Sequence, residues 1–83
     1  MKFYEMMVNQ KINNIKRDEL LKIGRQYGVI LSPEHAEKIA SILNGKNINI
    51  FDPQQRQQVI QNIAAIAGKK TALQIESIFN KLT

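Results

Sequence analysis

An all-α fold, a compact bundle of about five short helices at approximately 2–12, 17–27, 33–44, 53–67 and 70–82, is what the sequence predicts. Three observations predict it. Ser32-Pro33-Glu34 and Asp52-Pro53-Gln54 each place a side-chain oxygen before a proline, the chemistry of a helix start. Gly28, Gly45 and Gly68 each follow a helical pattern and can take the left-handed conformation that ends a helix. Between those marks the apolar residues recur at three- and four-residue spacing.

Taken in order, residues 2–12 carry two overlapping stripes, Phe3, Met6, Met7 and Gln10 on one, Tyr4, Val8 and Ile12 on the other. A helix there has a wide apolar surface and poor caps. Leu20, Leu21, Ile23 and Tyr27 define the second helix. Ala36, Ile39, Ala40 and Leu43 follow the one-face rule in the third, with Glu34 and Lys38 paired on its wet side. Val59, Ile60, Ile63, Ala64, Ile66 and Ala67 form a broader stripe, which makes the fourth helix central. Ala72, Ile75, Ile78, Phe79 and Leu82 define the fifth. Leu31-Ser32-Pro33 with Ile39 and Leu43 recurs as Phe51-Asp52-Pro53 with Val59 and Ile63, a repeated helix start rather than a solenoid. The links Val29-Ile30-Leu31 and Ile48-Asn49-Ile50-Phe51 are expected to tuck apolar residues beneath the bundle.

A chain of 83 residues is one domain, 1–83, near the lower limit for folding without staples. With no cysteine, neither disulfides nor thiolate metal sites contribute, and nearly every apolar side chain is needed for the core. A deep small-molecule pocket of about 300 Å³ or more is therefore not expected, nor any cofactor. Residues 1–10 lack an unbroken apolar stretch and a small-residue cleavage site, and no run of apolar residues is long enough to span a membrane. The expected address is cytoplasmic.

Catalysis fails on inventory, and the chain is read as no enzyme. His35, the single histidine, sits in the first turn of a capped helix as a surface residue without a catalytic partner. Ser32, Ser41 and Ser77 lie in no nucleophile elbow. Asp18 and Glu19 project about 100° apart on a helix, and the remaining acids make no metal set. Gly24 and Gly28 frame Arg25 and Gln26, too polar for membrane packing, so Gly28 is read as a helix cap and Gly24 as a point where a neighbour approaches closely. Gln54-Gln55-Arg56-Gln57-Gln58 reads as a solvated first turn.

The net charge of +5 is spread out. Six basic and three acidic groups fall in residues 1–28, two and three in 29–52, four and one in 53–83. Two function classes survive. The first is a non-catalytic protein-interaction module, self-associating or bound to another protein, through Phe3, Tyr4, Met6, Met7 and Val8, whose apolar surface exceeds what one packed face needs. The bland alternative buries that helix deep in the bundle. The second is weak, phosphate-directed nucleic-acid binding through Lys16, Arg17, Lys22 and Arg25, joined by Lys69 and Lys70.

Residues 17–44, from Asp18-Glu19-Leu20-Leu21 through Tyr27-Gly28-Val29 to Ile39 and Leu43, resemble the helix–extended-loop–helix motif of SAP-type and Rho-N-terminal nucleic-acid-binding domains. The Gly-x-Lys that opens the second helix in those domains is replaced by Ser32-Pro33-Glu34, an acid where a base belongs. The whole chain resembles a family of short, uncharacterised proteins of Gram-positive bacteria, the YqfT-like proteins. Lys11-Ile12-Asn13-Asn14-Ile15, Asp18-Glu19-Leu20-Leu21, Tyr27, Leu31-Ser32 and Ile48-Asn49 before Phe51 carry that resemblance, while Lys16 stands where a capping Thr would be more natural. It implies a helical cytoplasmic domain and brings no site residues with it.

Overall fold

The computed structural model describes residues 2–83, apart from the side chain of Lys2. Among the described residues five helices follow one another: α1 (Lys2–Asn13), α2 (Arg17–Gln26), α3 (Pro33–Leu43), α4 (Pro53–Ala67) and α5 (Lys69–Leu82). No strand occurs among the described residues. The helix ends agree with the expected ones to within one residue, and α4 matches at both ends. Principal extents of 32 × 23 × 22 Å leave room for one core.

The starts of α3 and α4 work as their sequences require. Ser32 Oγ accepts the His35 amide at 3.1 Å, and Asp52 Oδ1 accepts the Gln54 amide at 3.2 Å. Each satisfies a donor that the first turn leaves orphaned. By contrast, α2 begins at Lys16 with no side-chain cap. Gly68 is the whole connection between α4 and α5. Its φ of 91° with ψ of 159° is not the left-handed helical stop expected there but an extended positive-φ turn open essentially to glycine alone. A single residue in that geometry folds α5 directly back onto α4.

Neighbours in sequence pack in space: α2 against α3, α3 against α4, and α4 against α5. The largest fully buried side chains, Ile15, Ile39, Leu43, Ile50, Ile63, Ile75 and Phe79, come from α3, α4, α5 and two connecting segments. Among the described residues none of the buried ones is polar or charged, so the core is a dry aliphatic cluster closed by one phenylalanine. The links between helices take part. Val29 and Leu31 are buried while Ile30 between them is 78% exposed. That alternation is what an extended segment enforces: Val29 and Leu31 tuck beneath the bundle as expected, and Ile30 faces out.

Gly24 confirms a close approach. A Cβ added there would lie 2.9 Å from the Val29 carbonyl oxygen and 3.6 Å from Leu31 Cδ1. The Val29 amide in turn donates to the Gly24 carbonyl at 2.7 Å, so the α2–α3 link folds back across the bare glycine backbone. Of the glutamine run, Gln54, Gln57 and Gln58 are exposed as expected. Gln55, also exposed, has a further job: its Oε1 accepts the Asn49 amide at 2.9 Å and its Nε2 donates to Asp52 Oδ2 at 2.9 Å.

Candidate interaction face

Helix α1 is apolar on both sides, and the structure divides its two stripes. Ile12 is buried in the core, and Val8 packs against it half-buried. One turn earlier, Tyr4 donates its hydroxyl to the Leu82 carbonyl at 2.7 Å and meets the Phe51 ring edge-on at 6.1 Å. That hydroxyl satisfies a carbonyl left orphaned at the end of α5. The Tyr4, Val8 and Ile12 stripe is therefore the one that faces the bundle, with Tyr4 at its end still 49% exposed. On the other side, Phe3 is 80% exposed, Met6 65% and Met7 68%. At 100° per residue these three span a face about 100° wide, centred roughly opposite Ile12.

The flank of α1 between these faces carries a fastening with no counterpart in the sequence-based candidates. Asn9 and Asn13, one turn apart, point at the segment joining α3 to α4. Asn13 Nδ2 donates to the Ile48 carbonyl at 2.9 Å, and Asn13 Oδ1 accepts the Ile48 amide at 2.8 Å. Asn9 Oδ1 accepts the Ile50 amide at 3.0 Å, and its Nδ2 donates to Asn49 Oδ1 at 2.8 Å. Two carboxamides thus treat residues 48–50 as a neighbouring strand would, pairing alternate backbone groups. Beyond them the Gly45 amide donates to the Asn13 carbonyl at 2.7 Å, and Asn44 Nδ2 donates to the Ile15 carbonyl at 2.9 Å. Those bonds fill acceptors at and just past the end of α1. Asparagine is a poor helix former, and two of them on one flank of a short helix was the available signal.

On its opposite flank α1 faces α2 and the end of α5. Lys11 Nζ pairs with Glu19 at 3.4 Å. Val8, Ile12, Ile23, Tyr27 and Leu82, with Lys11 and Gln26, line a cleft of about 220 Å³, which is below the usual size of a small-molecule site. Lys81 Nζ lies 5.7 Å from the centre of the Tyr27 ring.

The basic candidates are all exposed, but the structure does not gather them into one patch. Lys16 and Arg17 border an open groove of about 910 Å³ beside the start of α2. Asp18, Glu19 and Glu37 line the same groove, and Arg17 Nε is held by Asp18 Oδ1 at 3.0 Å. Lys22 and Arg25 are solvated, and Lys22 borders a shallow depression that also includes Asp18 and Glu19. Lys69 and Lys70 open α5, roughly 17 Å along its axis from Lys81, the end that meets α2. His35 is half-buried, with only its backbone amide engaged in capping. No group of three or more His, Cys, Asp or Glu among the described residues is placed to hold a metal ion. Nor is any described helix long and apolar enough to cross a membrane.

Comparison with known proteins agrees with the whole-chain resemblance. Uncharacterized protein YqfT of Bacillus subtilis (strain 168) is 32% identical over 80 residues, covering 96% of this chain and 95% of that protein. No solved structure matches the chain significantly. The family described as Protein of unknown function (DUF2624) matches residues 1–83, from the first α1 residues through the asparagine fastening to the end of α5, and the chain belongs to that family.

Proposed function

We propose that this chain is a non-catalytic protein-interaction module of the cytoplasm, and that it associates with a second copy of itself through the outer face of α1. One observation carries the reading: α1 is fastened to its own bundle by Tyr4, Val8, Asn9, Ile12 and Asn13, yet still presents Phe3, Met6 and Met7 to solvent. A helix apolar on both sides suits a position between two bodies, and flexible methionines adapt to the opposing surface. The three side chains supply on the order of 400 Å² of contact per copy, half of the ~800 Å² per partner of a standard interface. The association is accordingly weak and concentration-dependent. Sedimentation equilibrium from micromolar to millimolar protein tests it: the average mass should rise with concentration and stay monomeric in Met7→Lys, whose helical circular dichroism should be unchanged. A wild-type chain that stays monomeric throughout would overturn self-association.

The second class, phosphate-directed binding of nucleic acid by Lys16, Arg17, Lys22 and Arg25, is weighed against by the acids set among those cations. Asp18 and Glu19 lie within the same two turns, and a polyanion approaching Arg17 must compete with Asp18.

A further inference from the structure

We infer that Asn44 is a fold-gated deamidation site, inert while the end of α1 is docked on it and reactive once that end comes away. Of the eight asparagines, Asn44 alone is followed by glycine. Four of the others, Asn14, Asn47, Asn49 and Asn62, precede isoleucine, whose branched side chain shields the next backbone nitrogen. Conversion needs the Gly45 backbone nitrogen to lose its proton and attack Asn44 Cγ. A five-membered imide forms as the C–N bond to the side-chain nitrogen breaks and ammonia leaves. Water then opens the ring to aspartate or isoaspartate, with no oxidant or cofactor required.

Asn44 is solvent-exposed, so water has access. Three features of the fold nevertheless hold the reacting atoms apart. The Gly45 N–H, the proton that must leave, is donated to the Asn13 carbonyl at 2.7 Å. The Asn44 carboxamide is tied by its side-chain N–H, which is donated to the Ile15 carbonyl at 2.9 Å. The Asn44 backbone sits at ψ 128°, on the far side of the rotation that brings the following nitrogen to Cγ. The first two locks are contributed by residues 13 and 15, so reactivity is coupled to the docking of α1. That docking depends in turn on the asparagine fastening only a few residues further along the same loop. The product also cannot restore the lock, because a carboxylate in place of the Asn44 amide has no N–H for the Ile15 carbonyl. Each conversion therefore loosens the contact that had prevented it.

The test is direct, since tryptic cleavage after Lys38 and Lys46 gives the peptide Ile39–Lys46, in which Asn44 is the sole asparagine. The full chain is incubated at mildly alkaline pH and 37 °C, folded in buffer and unfolded in urea, and aspartate and isoaspartate in that peptide are followed by mass spectrometry. Conversion should be at least about tenfold slower in the folded chain, the ratio reporting the opening of this region. Asn9→Ala should fall between the two while still helical. Equal rates folded and unfolded, or no conversion in urea, would overturn the proposal.

Discussion

The Asn13 side chain and the Ile48 backbone exchange two hydrogen bonds, at 2.9 and 2.8 Å, across 35 residues of sequence. One carboxamide so completes both polar groups of a residue that lies in no helix or sheet. The same side chain also donates to the Asn9 carbonyl at 2.8 Å. Removing it leaves a half-buried amide and carbonyl short of partners. Asn13→Ala should therefore cost about 2 kcal/mol, more than one ordinary hydrogen bond. Asn13→Asp should be no better, because it keeps the acceptor for the Ile48 amide but sets a negative charge against the Ile48 carbonyl. Urea unfolding of the three proteins measures this, and a loss below about 0.5 kcal/mol in Asn13→Ala would mean that water replaces the pair without penalty.

The two faces of α1 should respond in opposite ways to substitution. Ile12 is 4% exposed, and Ile12→Ala should destabilise by about 2–4 kcal/mol through lost burial and the cavity left behind. Met7, solvated on the other side, should accept Lys with a change within about 0.5 kcal/mol. Paired thermal melts at a concentration low enough to keep the chain monomeric separate these effects. A large loss in Met7→Lys would mean that the outer face is packed within a single chain and is no docking surface.

Most of the fold was legible because it is written locally. Ser32-Pro33 and Asp52-Pro53 mark their helix starts within four residues, and the α3 and α5 stripes show one apolar face each. The inward direction of α1 was not legible in the same way. Both of its stripes are apolar, so the pattern alone could not choose between Tyr4-Val8-Ile12 and Phe3-Met6-Met7, and all but Ile12 of the aromatic and aliphatic residues entered one candidate surface. What decides is distant: Leu82 and Phe51 for Tyr4, Ile48 and Ile50 for the asparagines. The alternation of Ile48 and Ile50, β-branched, with Asn47 and Asn49 did hold the hint that this backbone needs a partner. Which residues would supply it depends on chain folding over some forty positions, beyond the reach of periodicity.

Gly24 offers a prediction in which two effects compete. Alanine gains about 1 kcal/mol over glycine inside a helix, so Gly24→Ala would stabilise a helix standing alone. Here its Cβ meets a backbone oxygen at 2.9 Å, and backbone is the least able of neighbours to yield. Overpacking of this kind costs about 1–3 kcal/mol, which outweighs the gain. Gly24→Ala should lower the melting temperature and Gly24→Leu should lower it further. An unchanged or higher melt in Gly24→Ala would show that the α2–α3 link moves aside freely.

The exposed cations of α2 can be tested against the interaction reading in one titration. Phosphate contacts release counterions, so any binding through Lys16, Arg17, Lys22 and Arg25 must be strongest at low salt and fall steeply as salt rises. Because Arg17 is held by Asp18, and Asp18 and Glu19 share the depression beside Lys22, the local field is mixed rather than positive. Short single- and double-stranded DNA and RNA should therefore leave the α2 amide shifts nearly unmoved, even at low ionic strength. Localised shifts from Lys16 to Arg25 that vanish near physiological salt would reverse this ranking. Lys22→Glu and Arg25→Glu would then be expected to abolish the shifts, whereas Met7→Lys, on the outer face of α1, would not.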